Sequence, residues 1–369
     1  MPAPMTAILT AARPVTVSSS PDPGTGETRR RMRGPALGPP SNLPRCDGEV
    51  TLSHATATGP PVATVRESTS LASRIVTLVA VLIPPVGVLS AMGILWGVAV
   101  RPVDLALLAG MYVLCGLGIT AGFHRLFSHK SFRAGPGVRA TFAILGSMSV
   151  QGPLTQWVTD HRKHHALSDR EGDPHSPHGS REGVLGALGG LLHAHVGWLM
   201  TTKGMERGTR YGRDLYEDPL IRGIDRLYML WVALSLGIPF AVGYAVDPTL
   251  RGGMTGLVWG GLVRIFLFHH MTWSVNSICH TFGRRPYDTG DESRNNWIIA
   301  IPTFGEGWHN NHHAFPGSAV HGLGRRQLDM SWWVIRGLER AGLVWDVKVP
   351  APERLARRVR AAGPAHPEA

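Results

Sequence analysis

The chain has 369 residues, 43% of them hydrophobic, and its 37 basic and 26 acidic side chains give a formal charge of +11. Its three cysteines, Cys46, Cys115 and Cys279, form no Cys-x-x-Cys pair, which excludes a disulfide scaffold and a four-cysteine iron–sulfur cluster. The basic excess flanks long apolar runs and comes with no recognition module, so it points to anionic lipid and away from nucleic acid.

Residues 1–70 are rich in Pro, Ser, Thr, Gly and Ala, with a basic run at Arg29, Arg30, Arg31 and Arg33. No apolar segment of a secretory signal follows, and the composition reads as a disordered cytosolic tail. Four strongly apolar runs come next, at about 75–100, 105–124, 227–246 and 252–280. Each reaches the roughly 20 residues that a helix needs to cross the hydrocarbon core. The last is interrupted only by Arg264, His269 and His270. The links RPVD (101–104) and DPTLR (247–251) each carry one basic and one acidic residue. The opposite ends are flanked by Arg66, Arg74, Arg125, Lys130, Arg133, Arg222, Arg226, Arg284 and Arg285. That asymmetry places both termini and the segments 125–226 and 281–350 in the cytosol.

Two further apolar stretches, 140–159 and 184–200, are expected to be cytosolic or interfacial helices. The first is broken by Gly152-Pro153, and a crossing there would part the histidines on either side of it. A basic tail, 351–369, closes the chain. The fold class expected is an all-α membrane protein with four transmembrane helices and a cytosolic, histidine-rich part.

Eight of the 18 histidines fall into three boxes. HRLFSH supplies His124 and His129, directly after the second apolar run. HRKHH supplies His161, His164 and His165, and HNNHH supplies His309, His312 and His313. In the last two, the i, i+3, i+4 spacing sets three rings on one helix face. The i, i+5 spacing of the first is roughly 140° on an α-helix. It suits His124 on the last turn of a membrane helix and His129 on the chain just beyond. In NSICH, Asn276 and His280 stand i, i+4 at the cytosolic end of the fourth run, the counterpart of His124 on the second.

Neutral imidazole suits zinc, copper, iron or nickel. Eight or nine rings exceed what one ion accepts, so two ions are implied. A structural zinc site closes with four ligands and has no need of two membrane helices. A histidine-rich site open to dioxygen, beside a bilayer of acyl chains, points to redox iron, without the Glu-x-x-His ligands of the soluble di-iron bundles. A metal transporter would hold its site near the midplane on broken helices, whereas these histidines gather at helix ends. His175, His193 and His195 lie near the boxes without ligand spacing and are expected to be structural or to orient ligands. His269 and His270, more than two turns before His280, stay outside the set.

The stretches GITAGFHRLFSHKSF, DHRKHHALSDREGDPHSPH, HAHVGWL, WSVNSICHTFGRRPYD and GEGWHNNHHAFP closely resemble the membrane fatty-acyl desaturases. The likeness is to the stearoyl-CoA (delta-9) type, above all its bacterial acyl-CoA members, and runs from about Leu71 to Arg358. It implies two iron ions held by His124, His129, His161, His164, His165, His280, His309, His312 and His313, with Asn276 reaching one through water. It also implies four membrane helices under a cytosolic cap, and a kinked acyl tunnel with Gln151 and Trp157 near the kink. The substrates would be a long-chain acyl-CoA and O2, the product a cis double bond, and the location a bacterial plasma membrane.

One departure concerns the head group. Where vertebrate members carry Arg-Asp before the second box to bind CoA, this chain has Thr159-Asp160. Asp160 remains a candidate contact, and a lipid- or carrier-linked acyl chain remains an alternative, as does hydroxylation of a lipid or alkane. No dinucleotide, cluster or haem-attachment motif is present, so electrons must come from a separate reductase, with or without a ferredoxin-like carrier. The basic RLARRVR (354–360) is a candidate landing site for it. Tyr112 and Leu108, twelve and sixteen positions before His124 and i, i+4 to each other, are the candidate tunnel floor, about 18 to 24 Å along the axis.

Overall fold

The computed structural model describes residues 85–89, 100–178, 183–200 and 210–359, all within the unit Val65–Ala369. The tail read at 1–70 and most of the first apolar run lie outside the described residues; of that run, 85–89 are helical.

Helix α1 covers the second run as Pro102–Ser128. Pro102 opens it at a position where no N–H partner is needed, and the Asp104 carboxylate accepts from Arg101 N at 3.1 Å. From Gly118 to Ser128 the helix widens into π turns. Helix α2, Pro136–Ser147, packs against this wide segment. A Cβ on Gly118 would sit 2.2 Å from Gly146 N, so only glycine permits the approach. The chain then turns through Val150, at φ 65°, and Gly152, at φ 101°, into α3, Leu154–Leu167.

Helix α4 is Gly183–His195. At 12 and 13 residues, α2 and α4 are about 18 to 20 Å long, too short to cross the hydrocarbon core. Helix α5, Tyr228–Val246, covers the third run. The fourth run lies in one continuous helix, α6, over residues 250–277, with a π segment at Leu257–Val263 and a final turn Ile278–His280.

Among the described residues two helices are long and apolar enough to cross a membrane, α1 and α5. Helix α6 is not one of them, for it carries Arg264, His269 and His270. Arg264 is fully buried, its guanidinium donating to the carbonyls of Gly260 and Met148 and to the Ser235 hydroxyl.

A hydrophobic core ties the site-bearing helices together. It includes Ile119, Phe123 and Leu126 of α1, Phe142 of α2, Leu154 and Val158 of α3, and Phe268 of α6. Full burial of each large side chain contributes about 1.5–3 kcal/mol. Among the described residues the named strands are two of two residues each, Arg133–Ala134 paired antiparallel with Val344–Trp345. Within the segment read as a basic tail, Pro352–Arg358 is helical, and Arg358 donates to the Ala314 carbonyl at 2.6 Å.

Candidate metal centre

Helices α1, α3 and α6 and a six-residue helix α7, His309–Ala314, bring nine imidazoles together. His124, His129, His161, His165 and His312 form one group, and His164, His280, His309 and His313 a second. Within each group the ligand nitrogens lie within 4.8 Å of one another.

The π turn explains the first box. His129 N donates to the His124 carbonyl, five residues back, at 3.1 Å. The two rings therefore meet edge to face on one side of the helix with centroids 4.9 Å apart, where an α-helix would have held them roughly 140° apart. The HxxHH boxes divide their histidines reciprocally. On α3, His161 and His165 join the five-ring group while His164 joins the four; on α7, His309 and His313 join the four while His312 joins the five. On an α-helix, i+4 trails i by about 40° and i+3 falls about 60° to the other side. One helix thereby addresses two points. The intervening asparagines face away: Asn310 Oδ1 accepts from Tyr287 N at 2.9 Å, and Asn311 Oδ1 from Asn295 Nδ2 at 2.6 Å. Just ahead of α7, Gly305 takes φ 110° in a place where a Cβ would lie 2.5 Å from Asp329 Oδ1.

The nitrogens converge as metal ligands do. Nε2 of His312 lies 3.1 Å from that of His124 and 2.9 Å from that of His165, and His129 and His161 face each other at 2.8 Å. Nε2 of His309 lies 3.1 Å from those of both His280 and His313. The buried Nε2 of His164 has no hydrogen-bond partner. Nitrogens at right angles on one ion, each at about 2.1 Å, stand about 3 Å apart. The residues fit two ions.

Burial pushes the imidazoles of His129, His161, His165, His309 and His312 well below their ordinary range, and neighbouring rings push them further. The neutral form, which has a lone pair to offer, is thereby favoured. Burial also brings His313 down to about 4, against the pull of Asp291.

Sequence reasoning missed what stands behind these rings. The Nδ1–H of His280 donates to Asp169 at 2.8 Å, and that of His313 to Asp291 at 2.7 Å. Nδ1 of His164 lies 3.0 Å from both oxygens of Asp173. His124 Nδ1 meets Glu306, which Arg125 holds at 3.0 Å. His321, also missed, is buried with its ring 4.5 Å from His312 and Nδ1 3.5 Å from Glu306. Asp169, Asp173 and Glu306 lie inside stretches that the resemblance singles out, but outside the histidine boxes and without helical spacing to them; Asp291 and His321 lie outside those stretches.

A cavity ends at the rings, lined by Ile119, Phe268, Val275 and Trp157, with His124, His161, His164 and His309 at its histidine end. Asn276 lines it beside His164 and His309. Gln151 accepts from Trp157 Nε1 at 3.2 Å and donates to Thr272 Oγ1 at 3.0 Å.

Of the substrate-binding candidates Trp157 lines this cavity, whereas Gln151, Asp160, Tyr112 and Leu108 do not. Asp160 is buried and accepts from Gln156. Tyr112 donates to the Pro302 carbonyl at 2.8 Å and meets Phe268 edge-on at 5.2 Å, one side chain behind the wall. Leu108 is half-buried on α1. Among the histidines outside the boxes, His175 has its ring 4.4 Å from that of His164. His195 faces His270 Nδ1 at 2.9 Å and Ser277 Oγ at 3.1 Å. His193 belongs to neither histidine group, and His269 faces the Ser149 carbonyl at 3.0 Å.

Known proteins share this framework. The pattern of the Fatty acid desaturase family matches residues 96–341. The hex-5-enoyl acyl-carrier protein acetylenase of Moorena producens is 44% identical over 275 residues, 74% of this chain and 85% of its own length. An acyl-CoA C20 Delta5-desaturase of Anemone leveillei is 40% identical, covering 65% of this chain and 72% of that protein. An sn-1 stearoyl-lipid 9-desaturase of Anabaena variabilis is 37% identical, covering 64% and 81%. The chain belongs to the fatty acid desaturase family.

Proposed function

We propose that this oxidoreductase is a membrane di-iron desaturase that uses O2 to place a cis double bond, at the delta-9 position, in a saturated long-chain acyl-CoA. The observation that carries the reading is the convergence of five and four imidazole nitrogens at the end of an apolar cavity. His124, His129, His161, His165 and His312 would hold one iron, and His164, His280, His309 and His313 the other, with Asn276 acting through water. Bound there, the irons would supply dioxygen reduction and the removal of two hydrogens from adjacent methylenes.

The chain's own residues place the substrate. Ile119, Phe268 and Val275 form an apolar wall that takes the acyl chain out of water. Trp157, held by Gln151, fixes which methylenes face the histidines, and holding the reacting atoms in one geometry is a large part of the catalytic gain. Four membrane helices, with the described α1, α5 and α6 among them, set the cavity mouth at the cytosolic face of a bacterial plasma membrane. A separate reductase or ferredoxin-like carrier supplies the electrons.

The delta-9 position rests on the box-flanking motifs and on relatives named as 9-desaturases. Relatives named for acyl-CoA, lipid and carrier-protein substrates define the alternatives for the head group. The test is expression in a host without its own desaturase, with mass spectrometry of the CoA, carrier and lipid acyl pools from the earliest times. Delta-9 unsaturation arising first in acyl-CoA supports the reading. Unsaturation first in lipid or carrier pools, or an added oxygen in place of two lost hydrogens, contradicts it.

A further inference from the structure

The two histidine groups differ in what stands behind their rings. In the four-ring group, His164, His280 and His313 each present Nδ1 to a carboxylate, those of Asp173, Asp169 and Asp291. The Asp173 side chain is fully buried, and those of Asp169 and Asp291 nearly so. Among the described residues, no lysine or arginine forms an ion pair with any of the three. Their other bonds come from neutral donors: the Asp169, His175 and Glu292 amides, and Ser176 and Ser293.

In the five-ring group, His124 is the one ring with such a partner among the described residues. That partner, Glu306, is shared with the fully buried Arg125, which also pairs with Asp329 at 2.9 Å. Among the described residues, one site thus faces three carboxylates with no cationic side chain paired to them, the other a carboxylate shared with a guanidinium.

An imidazole that donates its N–H to a carboxylate is fixed in one tautomer and is more basic at its other nitrogen. Negative charge nearby also favours the higher charge state of a bound ion. We propose that Asp169, Asp173 and Asp291 are positioning residues that make the four-histidine site the tighter and more electron-rich of two unlike metal positions. The five-histidine ion is then the first to be reduced and the first to be lost. The inference rests on the metal reading of the two groups.

The experiment uses full-length protein in detergent, loaded with 57Fe, followed by Mössbauer spectroscopy and by iron content during exposure to a chelator. The wild type should show two distinct doublets of equal area and lose its iron in two phases, one ion per chain in each. Asp173→Asn, Asp169→Asn and Asp291→Asn keep the side-chain shape and remove the charge. Each should weaken retention of the slower ion about 10- to 100-fold and shift its doublet alone. Glu306→Gln should shift the other doublet.

Two ions leaving the wild type together under a single doublet would overturn the proposal, whether or not any variant folds. So would aspartate variants that disturb both doublets equally or neither. Folded wild type that takes up no iron overturns the metal reading itself, a result distinct from two equivalent ions.

Discussion

Trp157 lies flat against His161, with ring centroids 5.2 Å apart and planes 17° from parallel. Its indole N–H donates to Gln151, and the Gln151 amide donates to Thr272 on α6. A cavity wall and a proposed metal ligand are therefore fixed by one short chain of contacts. Gln151→Ala removes both hydrogen bonds and touches no histidine. Iron content should stay at the wild-type level, while turnover falls and the double bond spreads over neighbouring carbons. Product analysis by mass spectrometry checks this; one bond position formed at the wild-type rate contradicts it.

The ligand set itself is tested by deletion. Replacing any one of His161, His164, His165, His309, His312 or His313 with Ala should abolish product and lower bound iron. Each supplies one nitrogen to a group whose members lie within 4.8 Å of one another. Activity retained in two or more of the variants would break the di-iron assignment.

Asn276 lines the cavity beside His164 and His309, one helical turn before His280. A carboxamide there can hold a water on the four-histidine ion. Asn276→Ala should leave thermal unfolding unchanged and cut turnover by at least tenfold. A rate close to wild type removes the residue from the site.

Much of this centre was legible because histidine is costly to bury without a purpose, and because i, i+3, i+4 spacing survives folding unchanged. The boxes on α3 and α7 and the Asn276–His280 pair came directly from that periodicity. The allotment of His164 away from His161 and His165 did not, since three rings on one face look alike until the opposing helices choose between them. The first box reads with His124 on the last helical turn and His129 just beyond, as the structure has them, but nothing in HRLFSH distinguishes an α-helix from the π turn that brings the two rings together. Asp169, Asp173, Asp291 and Glu306 were hidden because loops place them, and loops have no period. Of the apolar runs, α1 and α5 form apolar helices long enough to span, but the burial of Arg264 in α6 depends on acceptors from Met148 and Ser235, far away in sequence.

Arg125 offers a test of stability. It is fully buried, pairs with Glu306 and Asp329, and donates to the Ala319 carbonyl at 2.8 Å. Removing one partner of a buried ion pair costs about 3–5 kcal/mol, because the remaining charges are left without compensation. Arg125→Met should therefore lower the unfolding temperature sharply in detergent, and Arg125→Lys should recover part of the loss. An unchanged transition in the methionine variant would mean that the two carboxylates find other partners.

The proposed depth of the acyl site is tested at Tyr112. Its ring packs edge-on against Phe268, which lines the cavity, and its hydroxyl is tied to the Pro302 carbonyl. Leu108 follows one turn further from the histidines on α1. If this face of the helix closes the far end of the acyl path, Tyr112→Ala opens space behind Phe268, because an apolar cavity remains where the ring stood. The variant should then favour C18 over C16 substrates more strongly than the wild type does, and Leu108→Trp should shift the preference the other way. Tyr112→Phe, which keeps the ring, should leave chain preference unchanged even if the lost hydrogen bond costs about 1 kcal/mol of stability. Competition between C16 and C18 substrates in one assay gives the ratio directly. Unchanged ratios in both Tyr112→Ala and Leu108→Trp, with normal iron content, would move the end of the path away from α1.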